Sequence, residues 1–170
     1  MKHVMSIIAL GALLAACEDE PPTKEEAAKT LGAGEYEISS EVTRLASSDQ
    51  SVPATKFKQG DKSVARACVG ADGKPDMAMF VEAGDKCSVL TSYLGSGRLS
   101  IQYQCDRPGK GVVYTNADGS ITDTGYEALV NSNTTFAGTG DYQLTRHLTA
   151  KRVGACPPAA AVAPATKAKA

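Results

Sequence analysis

The stretch CSVLTSYLGSGRLSIQYQC, residues 87–105, is the part of the chain whose reading decides the fold. Gly95-Ser96-Gly97 sits midway between its two cysteines. A hairpin closed by that loop pairs Leu94 with Arg98, Tyr93 with Leu99, Thr91 with Ile101, Val89 with Tyr103 and Cys87 with Cys105. Strand side chains alternate between two faces. Cys87, Val89, Thr91 and Tyr93 therefore share one face with Leu99, Ile101, Tyr103 and Cys105, while Ser88, Ser92, Ser100, Gln102 and Gln104 point the other way. Register, apolar face and cysteine positions agree, so the spacing predicts an antiparallel hairpin stapled by a Cys87–Cys105 disulfide.

Working outward, the same vocabulary continues. Thr, Val, Ser, Tyr and Gly recur in short alternating runs broken by turn signals, the signature of antiparallel sheet. Expected strands are residues 35–45, 62–69, 86–94, 98–106, 111–117, 120–129 and 140–152. Asp72-Gly73 and Asp118-Gly119 read as turns, because glycine accepts positive φ without a Cβ clash. Residues 75–81 could form one helical turn and residues 23–31 a short helix. The expected fold is all-β: one domain of about seven antiparallel strands in a strongly curved sheet or partly closed barrel.

The N-terminus has a different character. Lys2 and His3 precede a run from Val4 to Ala16 that is apolar except for Ser6 and Gly11. The run is well short of the roughly 20 residues a membrane-spanning helix needs and fits a signal peptide. Leu14-Ala15-Ala16-Cys17 is similar to the cleavage box of bacterial lipoproteins. That resemblance implies removal of residues 1–16 and acylation (palmitate or a related chain) at Cys17. The resemblance also implies a diacylglycerol on the Cys17 thiol and often a further acyl chain on the new amine; several chains matter because a single one anchors only marginally. Glu18 and Asp19 follow, and they leave inner and outer membrane equally open. Residues 17–30 then read as lipid anchor and polar tether, 31–156 as the β domain, and 157–170 (PPAAAVAPATKAKA) as a disordered Pro/Ala/Lys tail.

With Cys17 assigned to lipid, four cysteines remain. Cys87–Cys105 follows from the hairpin, and Cys68–Cys156 follows by remainder, as an exported chain allows. Four cysteines could instead hold one zinc ion, but zinc ligands usually come in pairs two to four residues apart, and none of these spacings does.

Chemistry is sparse. Without Lys2 the chain carries 17 basic and 19 acidic side chains and no basic stripe, which argues against nucleic-acid binding. There is no Trp, and six Tyr with three Phe are the whole aromatic complement, so a large aromatic platform is not expected. His147 is the sole histidine after the signal segment and lies in an expected strand, without a nucleophile elbow to serve. Asn116, Asp118 and Ser120 lack the bidentate acid of a calcium loop. Gly32-Ala33-Gly34 and Gly138-Thr139-Gly140 precede no helix that could bind phosphate. The six tyrosines could line a pocket or sit in half-buried strand positions. Arg146, Lys151 and Arg152 read as a solvated basic strand end, with anionic lipid heads as a possible contact. No catalytic residue, metal ligand or cofactor is assigned.

Gly34-x-Tyr36-Glu37, Val64-x-x-x-Cys68-Val69, Cys87, Cys105, Gly109-Lys110-Gly111 and Arg152-Val153-Gly154-Ala155-Cys156 together resemble domain-of-unknown-function family 3617, an uncharacterised bacterial envelope family. The resemblance covers about residues 34–156; Tyr36 stands where members typically have Trp. It implies an exported, disulfide-bonded β domain and supplies no catalytic residue. The reading as a whole is a membrane-anchored lipoprotein facing the periplasm, a structural or interaction domain contacting other envelope proteins. A binding module for a lipid or other small hydrophobic ligand is the alternative, and a hydrolase built on His147 is a third.

Overall fold

The computed structural model describes residues 30–122 and 124–157. Cys17, the signal segment, residues 18–29 with most of the expected short helix, and residues 158–170 lie outside the described residues. Seven antiparallel strands form one sheet: β1 (Gly34–Ser47), β2 (Lys62–Val69), β3 (Lys86–Gly95), β4 (Arg98–Arg107), β5 (Gly111–Ile121), β6 (Gly125–Phe136) and β7 (Tyr142–Gly154). Their order is β2-β1-β7-β6-β5-β4-β3, so β2 and β3 are free edges and the sheet is open.

Alternation builds the two faces. Leu99, Ile101, Tyr103 and Cys105 of β4, Val113, Ala117 and Ile121 of β5, and Tyr142, Leu144, Leu148 and Ala150 of β7 all point to one buried inner face. Thr115 and Ser132 also point inward, and their hydroxyls satisfy each other at 2.9 Å. The opposite, outer face carries Gln102, Gln104, Asn133 and Gln143, all exposed.

Because β2 and β3 lie at opposite edges, the segment joining them, residues 70–85, has to cross the inner face. It does so through a single 3-10 turn, Met77–Met79, capped by the Asp76 carboxylate accepting from the Ala78 amide. Phe80 follows, 0% exposed, stacked on Tyr103 of β4 at 6.0 Å and tilted against Tyr126 of β6 at 5.9 Å. The Tyr126 hydroxyl donates to the Met79 sulfur at 3.2 Å. This crossover covers the inner face that the open sheet would otherwise leave bare. Both disulfides brace the frame: Cys87–Cys105 links directly opposed residues of β3 and β4, with Cα atoms 3.9 Å apart. Cys68–Cys156 joins the end of β2 to the segment after β7 across the start of β1, with Cα atoms 5.7 Å apart.

Two expectations about strand bounds and register need correction. Asp118-Gly119 does not turn; it lies inside β5, where Gly119 pairs with Ala128. A Cβ on Gly119 would overlap the Glu127 carbonyl oxygen, so glycine answers a close approach of β6. The reversal falls after Ile121, where the Thr122 amide donates to the Gly125 carbonyl at 2.8 Å. As a result β5 is longer, and β6 starts later, than alternation alone suggests.

The β3–β4 hairpin also differs from its expected register. Cys87↔Cys105 and Val89↔Tyr103 pair as expected, but a bulge at Leu90 shifts the rest to Thr91↔Gln102, Tyr93↔Ser100 and Leu94↔Leu99. The loop is therefore two residues, Ser96 and Gly97, with φ of 49° and 72°, the geometry of a tight hairpin turn. The slip turns Tyr93 outward, 53% exposed, and brings Ser92 and Leu94 to the side of Val89.

Candidate functional site

The densest polar cluster joins the crossover to the far end of β4. Arg107 donates from Nε to Asp85 Oδ1 at 2.7 Å and from Nη2 to Asp85 Oδ2 and Glu82 Oε2 at 2.8 Å each. Its Nη1 donates to the Ala54 carbonyl at 2.8 Å and to the Tyr142 hydroxyl at 3.0 Å. Glu82 also accepts from Tyr142 at 3.1 Å and from Thr55 at 2.9 Å. β4 and β7 are three strands apart, roughly 14 Å in a flat sheet, so the Arg107–Tyr142 bond spans a trough that only long side chains bridge. The hydrogen bonds to Asp85 hold the Arg107 guanidinium firmly charged. Burial, helped by the Glu82 charge, pushes the Tyr142 phenol up to about 12. Every guanidinium nitrogen is committed to an acceptor, so the cluster is a lock between loop 48–57, the crossover and β4.

Arg146 is also inside. It is 6% exposed, stands 5.1 Å over the Phe57 ring and donates from Nη2 to the Phe80 carbonyl. Its Nε has no partner among the described residues, and burial lowers its pKa, partly countered by Glu82. The expected basic strand end is thus divided: Lys151 and Arg152 are exposed, whereas Arg146 belongs to the inner row of β7 with Leu144 and Leu148. Its position follows from strand parity, which outweighs its charge because a carbonyl and an aromatic ring receive the guanidinium.

His147, one residue on, faces out and is exposed. It sits opposite Glu41 of β1 and borders an open saddle of about 420 Å³ with Ser39, Ser40, Lys62 and Val64. Among the described residues no hydrogen bond ties its ring to a hydroxyl or a carboxylate, and no group of three His, Cys, Asp or Glu could hold a metal ion. Asp118 accepts from the Ser100 hydroxyl at 2.7 Å, and Asn116 and Ser120 are strand residues beside it. The tyrosines do not gather at one pocket: Tyr36, Tyr103, Tyr126 and Tyr142 are core, while Tyr93 and Tyr114 are exposed.

A largely apolar opening lies at the β3 edge. Pro75 and Met77 of the crossover, Val89 and Leu94 of β3, and Ile101 and Tyr103 of β4 line a groove of about 320 Å³, with Lys74 and Ser92 at its margin. Burial against Phe80 pushes the Tyr103 phenol up to about 12, with Asp76 adding to the rise. Val89, Leu90 and Tyr93 stand about half exposed along the same edge.

Residue-level reading missed Glu82, Asp85, Arg107 and the groove. A signal for one pair existed: continuing the Cys87↔Cys105 register by two residues sets Asp85 opposite Arg107. The groove had none, because it depends on a bulge and on a crossover from the other edge of the sheet.

Fold and site define a disulfide-braced, open β-sheet domain whose inner face is filled by its own crossover. The chain belongs to the family described as "Protein of unknown function (DUF3617)", whose profile matches residues 31–156. No curated protein and no solved structure matches it.

Proposed function

We propose that this protein is a lipid-anchored, non-enzymatic interaction domain of the bacterial envelope, held by acyl chains on Cys17 and facing the periplasm. The signal-like run ending in Leu14-Ala15-Ala16-Cys17 supports the anchor. One structural observation carries the interaction reading: the inner face is occupied by the chain's own Phe80, so recognition falls to a free edge of the sheet, the unbulged β2. An unpaired edge offers a row of backbone donors and acceptors to a partner. On β2, Val64 is 66% exposed beside the open saddle at His147.

The test is a photo-crosslinking residue placed at Val64 in living cells. Discrete protein adducts are expected; lipid adducts alone, or no adducts, would contradict the reading. The apolar groove at β3 favours a second reading, in which the domain holds a small hydrophobic ligand, since about 320 Å³ falls within the range of small-molecule sites.

A further inference from the structure

We propose that the β3 groove receives an acyl chain of a phospholipid in the membrane to which the domain is tethered. The inference rests on the anchor at Cys17 and names the ligand of the second reading above.

Position is the first argument. Leu31, where the described chain emerges from the tether, is buried against the turn that opens the crossover. A Cβ built on Gly73 would lie 3.3 Å from the Leu31 carbonyl oxygen. Lys74 and Pro75, the next two residues, are the rim of the groove. The tether therefore meets the domain within a few residues of the groove mouth. Residues 18–30 span at most roughly 45 Å fully extended, which keeps this end of the domain close to the bilayer.

Chemistry is the second argument. The walls are alkyl, thioether and ring carbon, so an extended peptide would bring amides to a surface with few groups to answer them. The Leu90 bulge also interrupts the ladder that an added strand would follow. A hydrocarbon chain asks for no hydrogen bonds. Lys74 is 72% exposed at the mouth and is shared with Asp72 at 3.5 Å, so headgroup charge contributes little. The groove selects chain rather than headgroup.

The experiment uses the full wild-type chain in cells fed a diazirine-bearing fatty acid, irradiated and digested for mass spectrometry. A phospholipid adduct on the peptides carrying Met77, Val89 or Leu94 is the expected result. An adduct joining those peptides to the lipidated Cys17 peptide would overturn the proposal in favour of the protein's own anchor. Adducts confined to the outer face, or none, would also overturn it. Val89→Asp should cut groove labelling roughly tenfold by placing a carboxylate in an apolar site. Ser92→Trp, which fills the groove without adding charge, should do the same, and Tyr114→Asp on the outer face of β5 should leave labelling unchanged. An unlabelled Cys17 peptide beside a labelled groove would sink the anchor reading and leave the groove assignment standing.

Discussion

Asp85 and Arg107 are joined by two parallel bonds, 2.7 Å from Nε and 2.8 Å from Nη2, with the Asp85 side chain 3% exposed. The pair closes the base of the β3–β4 hairpin beyond the Cys87–Cys105 disulfide. Through Glu82 it also pins the end of the crossover. Arg107 is thus the point at which hairpin, crossover and loop 48–57 are held together.

Arg107→Ala would leave Glu82 and Asp85 buried without their counter-charge. The expected cost is about 3–5 kcal/mol, the range for breaking a buried pair from one side. Arg107→Lys should recover only part of it, because an ammonium on a single stem cannot bond both acids, Ala54 and Tyr142 together. Urea midpoints of the two variants measure this; a lysine variant as stable as wild type would contradict the role of the planar fork.

Phe80→Ala would empty the centre of the crossover. A loss of about 3–5 kcal/mol is expected from the missing ring and the cavity it leaves. Far-UV circular dichroism should stay close to wild type, since Phe80 belongs to no strand. A variant of unchanged urea midpoint would mean that the inner face is not packed on this residue.

The two disulfides should differ in weight. Replacing Cys87 and Cys105 by Ala together releases a short loop worth about 3 kcal/mol in the chain-entropy account, whereas the Cys68–Cys156 loop is worth about 4–5 kcal/mol. Denaturation of the two double variants should rank them in that order, and peptide mapping without reductant should recover Cys87 with Cys105 and Cys68 with Cys156. A Cys68–Cys87 peptide would contradict the connectivity.

Acid should act through Asp49. The Ser51 hydroxyl and amide, with the amides of Asp141 and Gly140, hold its carboxyl well below the usual carboxylate range. A depressed native pKa stabilises the fold above the unfolded value, about 3.9, and that contribution fades as pH falls through the native one. Asp49→Asn should therefore melt below wild type at neutral pH, with the gap closing as the solution is taken below about pH 4. A gap that holds or widens in acid would contradict this linkage.

What the residues disclose in advance follows from how local each feature is. The hairpin is legible because Cys87 and Cys105 stand at equal distances from a glycine-rich turn and alternation runs between them. The Leu90 bulge is not, since one extra residue in a strand leaves the composition unchanged. Gly119 misleads because close approach and turning ask for the same residue, and only the neighbouring strand tells them apart. Arg146 misleads because charge suggests the surface while parity puts it inside. The crossover, and with it the Glu82–Asp85–Arg107 lock and the groove, depends on β2 and β3 lying at opposite edges, and that order has no local trace.

Intact mass of the protein extracted from bacterial membranes tests the central claim, a tethered interaction domain, most directly. The expected species begins at Cys17 and carries a diacylglyceryl group with or without a further acyl chain, while Cys17→Ser retains residues 1–16 and carries none. A wild-type protein that keeps its first 16 residues with an unmodified Cys17, or is released without lipid, would contradict it.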